Sequence, residues 1–316
     1  MEEILLIGLG NLGVRHLQGL IRGGAKKIHC IDPNSSTFEV AKKLAKDTGC
    51  PQPELSFSTE LPENQKYFTT VVATNSNERL KVIRELLSNN STQHLILEKV
   101  IFPRLDDFDV FNALIKHANI NIYVNHPRRL HSVYQMIKSK INKRQPIYMN
   151  VSGCEWGLAS NALHFIDLMT FLCGEVAEKI NCSEITQLFD SKRIGYKEAT
   201  GNMEIQFSEG SKLILSSTQG TFHDLHIQIS NGEKHYTILE GSTNRFFSFD
   251  VEGSQEISPL YVSETTGWVL KDLLEKGSCL LTPYSESEIN HRRIIEAFNS
   301  QFQQLEPNSP IPHYIT

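Results

Sequence analysis

Hydrophobic positions in the first 124 residues of this chain alternate between two rhythms. Short apolar runs at 3–7, 27–31, 70–73, 94–97 and 121–124 have the length and content of buried strands. Between them, at 12–22, 37–48, 77–87 and 105–118, apolar residues recur at helical spacing. In the first of these segments Leu12, Leu17, Leu20 and Ile21 fall on one side. Strict alternation of strand and helix predicts a parallel, right-handed, doubly wound sheet.

The rhythm changes after Val124. A helix is expected at 130–141, a strand at 147–151, and an amphipathic helix at 161–172 that Gly174 closes. From 179 to 251 extended segments are punctuated by Gly201, Ser208-Glu209-Gly210, Asn231-Gly232 and Gly241, the turn signals of antiparallel strands. Helices follow at 263–276 and 285–305, and the last eleven residues, with three prolines, read as a tail. The pattern divides the chain into 1–124 and an α+β domain at 125–316 with an open, mainly antiparallel sheet.

Composition narrows the classes of function. The chain has 316 residues, 40% hydrophobic and 21% charged, as in ordinary globular proteins of two domains. A net charge of -5 and no basic run beyond Arg128-Arg129 argue against nucleic acid or a membrane as partner. The six cysteines have neither CxxC nor zinc-finger spacing, so free thiols are expected, with no metal site. Met-Glu-Glu leads straight into a strand, unlike a signal peptide, and no apolar run approaches the roughly 20 residues of a membrane span. A cytoplasmic protein is the expectation.

The first strand ends in Gly8, Gly10 and Gly13, a GxGxxG pattern that opens the first helix. Gly8 permits the tight turn, Gly10 lets amides approach a pyrophosphate, and Gly13 lets the helix pack on the sheet. With Asn11 and Leu12 these residues form a candidate phosphate cradle at a helix N-terminus. The second strand ends in Asp32, nineteen residues after Gly13, where a carboxylate accepts from ribose hydroxyls and repels a 2′-phosphate. Residues 33–36 supply no Arg or Lys, which favours NAD over NADP. The first domain then reads as a Rossmann domain, and the fold class as α/β with an appended α+β domain. The competing reading is a structural glycine turn with Asp32 as a cap or solvent-facing acid.

Three further stretches share order and spacing with one family: Val71-Val72-Ala73-Thr74-Asn75-Ser76, Leu97-Glu98-Lys99, and GLASNALHFIDLMTFLCG at 157–174. With 125–129 joining the domains, the chain resembles the Gfo/Idh/MocA oxidoreductases. The resemblance implies that Ala73, Thr74, Asn75 and Glu98 border the cofactor and that Lys99 matches the lysine of the EKP motif. An ammonium there stabilises alkoxide character as hydride leaves. Val100 stands where that motif has proline, so its X-Pro geometry is not expected at 99–100. His164 matches the histidine of the family's DxxxH helix, whose i, i+4 spacing puts both side chains on one face. Ser160 occupies the Asp position, beside Asn161.

Plainer readings stand beside these: Lys99 as a surface lysine, His164 as a core histidine, Trp156 and Glu155 as loop packing rather than contacts to a sugar ring. Arg128 and Arg129 suit either an acidic substrate or interdomain ion pairs, and Asp167 a structural salt bridge. Tyr284 and His291 are left unassigned. The resemblance implies an NAD-dependent dehydrogenase acting on a sugar, cyclitol or nucleotide-linked sugar, assembled as a homodimer or homotetramer. Two alternatives remain open: an NAD-dependent glycosidase or eliminating enzyme of the same family, and a non-enzymatic NAD-binding sensor.

Overall fold

The computed structural model describes residues 2–221, 224–248, 251–309 and 315. In chain order the first elements are β1 (Glu3–Ile7), α1 (Asn11–Arg22), β2 (Lys27–Ile31), α2 (Thr37–Lys46) and β3 (Glu54–Ser58). β4 (Lys66–Val72), α3 (Ser76–Asn89), β5 (Ser91–Leu97), α4 (Leu105–Ile115) and β6 (Asn121–Val124) follow. A single 3-10 turn, Pro127–Leu130, precedes α5 (Ser132–Lys140), β7 (Tyr148–Cys154) and α6 (Leu158–Cys173). Then come β8 (Ala177–Asp190), β9 (Lys197–Phe207), β10 (Lys212–Thr218), β11 (Leu225–Asn231), β12 (Lys234–Glu240), β13 (Arg245–Ser248) and β14 (Val251–Glu256). The chain ends in α7 (Val262–Lys276), β15 (Thr282–Pro283) and α8 (Tyr284–Leu305).

Two compact units result. The first comprises Met1–Pro127 and Leu260–Tyr284, the second Arg128–Pro259 and Ser285–Thr316. The division expected at 124/125 therefore differs in two respects: the first boundary falls after Pro127, and residues 260–284 return to the first unit. Glycines make that return possible. A Cβ on Gly19 of α1 would lie 2.7 Å from Thr266 Cβ, and one on Gly267 of α7 would lie 2.7 Å from Gly19 O. Only bare backbone lets the two helices approach this closely.

In the first unit the sheet order is β15-β6-β5-β4-β1-β2-β3. β1 to β6 are mutually parallel, as the alternation predicts, while β15 adds an antiparallel edge by pairing Thr282 with Val124. β3 has no counterpart in the sequence reading. Pro51 and Pro53 precede it, and its ELSFS pattern leaves only Leu55 and Phe57 to bury at a sheet edge. The core is the near-continuous apolar run of the central strands, with Ile4, Leu5, Leu6, Val71, Val72, Leu95 and Leu97 buried.

The second unit is built on an eight-stranded sheet, β14-β13-β12-β11-β7-β10-β9-β8. All its pairings are antiparallel except β7 with β10. Its strands alternate, with Met149, Val151, Leu213, Leu215, Ile227 and Ile229 on the buried face and Tyr148, Ile214 and Gln228 on the other. Buried α6 packs with this unit's β9 and β10. All six cysteines are free, and no described helix is long and apolar enough to cross a membrane. The expected tail lies largely outside the described residues.

Candidate functional site

The glycine loop links β1 to α1 in the first unit. β1 ends at Ile7, Gly8 turns with φ 95°, and its amide donates to Ile31 O at 2.8 Å. A Cβ on Gly13 would fall 1.8 Å from Gly8 O, so the turn and the helix are in backbone contact. Gly10 is different: a Cβ there would meet no atom within 4 Å. Val14 is the first amide bonded within α1, to Gly10 O at 3.0 Å. The amides of Asn11, Leu12 and Gly13 thus precede the helical ladder. No side chain caps α1 and no acid sits in its first turn, whereas α2, α3 and α4 each carry at least one acid there.

Asp32 follows β2 and is half-buried. Its carboxylate accepts from the Leu9 amide at 2.6 Å and the Asn34 amide at 2.9 Å. It therefore ties the glycine loop to the end of β2. Each oxygen retains a lone pair for a further donor. Next in the sheet, Ala73 donates its amide to Ile7 O at 2.8 Å, and exposed Asn75 begins α3 without a side-chain cap bond. The hydroxyls of Thr74 and Ser76, on either side of Asn75, are buried and have no hydrogen-bond partner among the described residues. Buried orphan hydroxyls are rare, and they suit a polar ligand at this strand end. These amides and hydroxyls are the donors that would hold the phosphate and ribose groups of a dinucleotide.

At the end of β5, Glu98 and Lys99 part company. Lys99 is half-buried, whereas Glu98 is 4% exposed. The Glu98 carboxylate accepts from Asn125 Nδ2 at 2.5 Å and meets His16 Nε2 at 2.8 Å; His16 Nδ1 meets Thr266 Oγ1 at 2.8 Å. Burial pushes the Glu98 carboxyl up, but the His16 bond and charge, with Asn125 and Arg79, outweigh it and hold it below its ordinary value. The expected contact of Glu98 with a cofactor is corrected here, since its side chain is committed inside the unit. The expectation for residue 100 is also corrected: the Lys99–Val100 peptide is cis without a proline. The guanidinium of buried Arg79 holds this turn. Its Nη1 donates to Glu98 O at 2.7 Å, Ile101 O at 3.0 Å and Val100 O, and its Nη2 to Thr74 O. Arg79, His16 and Thr266 carry no sequence signal for these roles, because their partners lie far along the chain.

In the second unit, α6 buries twelve of its sixteen residues, and those left partly accessible are Ser160, Asn161, His164 and the terminal Cys173. Residues 160, 161 and 164 form one stripe on the helix. His164 is therefore on the accessible face rather than in the core. Ser160 Oγ donates to Gly157 O at 3.3 Å, and Asn161 Nδ2 to Trp156 O at 2.8 Å. The Ala159 and Ser160 amides donate to Glu198 of β9.

Two expected substrate contacts are corrected in this unit. Trp156 is 8% exposed, packs edge-on to Phe165 and donates Nε1–H to Ser216 O at 2.8 Å, which leaves no face for a sugar ring. Arg129 is buried, forks onto Asp167 at 2.8 and 2.7 Å, and also bonds Glu286. Arg128 pairs with Glu240 at 2.8 Å and lies over the Phe165 ring. Both arginines thus make ion pairs, but within one unit rather than between domains. Asp167 has the structural salt bridge expected of it.

No family model and no curated protein matches this sequence. Solved structures do. An oxidoreductase from Agrobacterium radiobacter, in complex with NAD+, L-tartaric acid and magnesium, is 15% identical, with 96% of this chain and 97% of that chain covered at a TM-score of 0.71. The UDP-N-acetylglucosamine 3-dehydrogenase of Acidithiobacillus ferrooxidans is 11% identical, with 94% and 96% covered at 0.68. The super-repressor mutant of Gal80p from Saccharomyces cerevisiae is 11% identical, with 96% of each chain covered at 0.71. Across almost its whole length this chain has the two-domain fold of these proteins, a Rossmann-type parallel sheet joined to an open, mostly antiparallel one.

Proposed function

We propose that this chain is an NAD-dependent oxidoreductase that acts on the CH–OH group of a sugar, cyclitol or nucleotide-linked sugar. The observation that carries this reading is the open start of α1: three amides ahead of the ladder, no capping side chain, no acid, and free space over Gly10. The unpartnered Thr74 and Ser76 hydroxyls support it from the neighbouring strand end. Asp32 and the uncharged 33–36 stretch favour NAD over NADP.

A bound nicotinamide would supply or accept the hydride. Among the chain's own residues, Lys99 is the ammonium suited to polarise a substrate oxygen and His164 the imidazole suited to exchange a proton. Arg79 fixes the turn that carries Lys99, and α6 presents His164 beside Ser160 and Asn161. A cytoplasmic homo-oligomer completes the reading, with the open face of the eight-stranded sheet, where Tyr148, Ile214 and Phe247 are exposed, as the contact surface.

The test is turnover of NAD with a panel of sugars, cyclitols and nucleotide-linked sugars. Lys99→Met and His164→Gln are each expected to lower kcat about 100-fold or more while NAD affinity stays within a few-fold. Hydrolysis without net NADH would point instead to the eliminating chemistry. A second reading is a regulator that binds the dinucleotide without turning it over. It is favoured by the Gal80p structure, whose TM-score of 0.71 equals that of the NAD+ complex. That reading predicts no turnover with any member of the panel and unchanged biological function in Lys99→Met.

A further inference from the structure

Glu198 is a buried acid for which the proposed chemistry has no use. It sits on β9, 8% exposed, and its oxygens reach the first turn of α6. Oε2 accepts from the Ala159 amide at 3.0 Å and Oε1 from the Ser160 amide at 3.1 Å. The Ser160 hydroxyl, 3.3 Å from Gly157 O, shares its proton with this carboxylate. The cluster is closed by Gly157, where a Cβ would lie 2.8 Å from Ser160 Oγ and 3.3 Å from Glu198 Oε1.

An ordinary helix cap would not need this arrangement. A Ser, Thr or Asp on the chain itself caps a helix, whereas α6 starts from a bare glycine with φ 78° and has no acid in its first turn. The carboxylate comes instead from a strand 38 residues away. Among the described residues it has no cationic partner. The other charges against α6 are engaged elsewhere: Arg128 with Glu240, Arg129 with Asp167 and Glu286, and Lys138 over the Phe171 ring. Burial raises the proton affinity of Glu198 above that of an ordinary carboxyl, against the pull of its Ser160, Ala159 and Ala199 donors.

We propose that Glu198 is the positioning carboxylate of the Ser160–His164 face, supplying from β9 the negative charge that α6 lacks one turn before His164. This rests on the reading of His164 as the proton-exchanging group. The positive end of a helix disfavours an imidazolium near it, and a carboxylate held at that end offsets the field. Ser160 orients the carboxylate, and Glu198 sets how readily His164 holds a proton. Neither needs to touch substrate.

The test is an NMR titration of the His164 imidazole in the full chain without cofactor, its signal identified by its loss in His164→Gln. Glu198→Gln is expected to lower the His164 midpoint by about half a pH unit or more. Glu198→Gln with Ser160→Asp, which moves the carboxylate onto the helix four residues before His164, is expected to restore it. A midpoint unmoved in Glu198→Gln, with only the Tm lowered, would reduce Glu198 to a cap and overturn the proposal. If Glu198→Gln does not fold, the unmodified chain decides. Coupled groups titrate together, so the His164 signal must show a second inflection at the midpoint of the Glu198 carboxyl carbon, and its absence overturns the proposal. Dinucleotide binding with an uncoupled His164 defeats this inference alone; coupling without binding defeats the proposed function alone.

Discussion

Gly13→Ala is expected to lower the Tm of the first unit by about 6–12 °C and to remove dinucleotide binding. The added Cβ falls 1.8 Å from the Gly8 carbonyl oxygen and 2.7 Å from its carbon. Both obstacles are backbone, so no side-chain rotation relieves them. Either the start of α1 lifts from the sheet or Gly8 moves, and Gly8 itself lies close to Ala73, 3.0 Å from its carbonyl carbon to the Gly8 Cβ position. Overpacking in a rigid setting costs about 3 kcal/mol. In a unit of this size each kcal/mol is worth about 2–4 °C. Thermal unfolding followed by circular dichroism reads the effect, and an unchanged Tm would show that the loop is looser than its geometry.

Arg79→Met is expected to cost about 3–5 kcal/mol, the penalty for breaking a buried charged network from one side. Methionine keeps the volume but leaves the carbonyls of Thr74, Glu98, Val100 and Ile101 without the donor that gathers them. It also removes a positive charge that helps hold Glu98 ionised. The turns carrying Thr74 and Lys99 lose their common anchor, so limited trypsin digestion should cut after Lys99 in the variant at protease levels that leave the parent chain whole. Arg79→Lys keeps the charge without the fork and should recover only part of the loss. Equal resistance of all three chains would show that the turn holds itself.

The parallel sheet was legible because each central strand is apolar along its length and each helix between them has its own period. The glycine loop was legible because its three glycines and Asp32 lie close together in sequence. β3 was not, since an edge strand after two prolines buries too little to leave a pattern. The return of residues 260–284 was not, because the glycines that admit α7 to α1 are unremarkable in either helix alone. Glu98, Trp156 and Arg129 show a different limit. Residue type indicated a site, but their polar atoms are bound to His16, Ser216 and Asp167, partners from 38 to 82 residues away. Distant partners also explain why Arg79 and Glu198 gave no signal.

The proposed function needs a dinucleotide at the start of α1, and Gly10→Asp probes that need. Its backbone, at φ -66° and ψ -174°, suits any residue, and its Cβ meets nothing within 4 Å. An aspartate at this N-cap should hold or slightly raise stability. It would also put a negative charge where a bound pyrophosphate would lie on the proposed reading. Calorimetric titration of NAD(H) and NADP(H) into cofactor-free protein should show NAD(H) bound more tightly by the parent chain. In a Gly10→Asp chain of equal or higher Tm, binding should fall by about 100-fold or more, near 3 kcal/mol. No binding by the parent chain, or undiminished binding by Gly10→Asp, would leave Gly8 to Gly13 as a structural turn and overturn the proposed function.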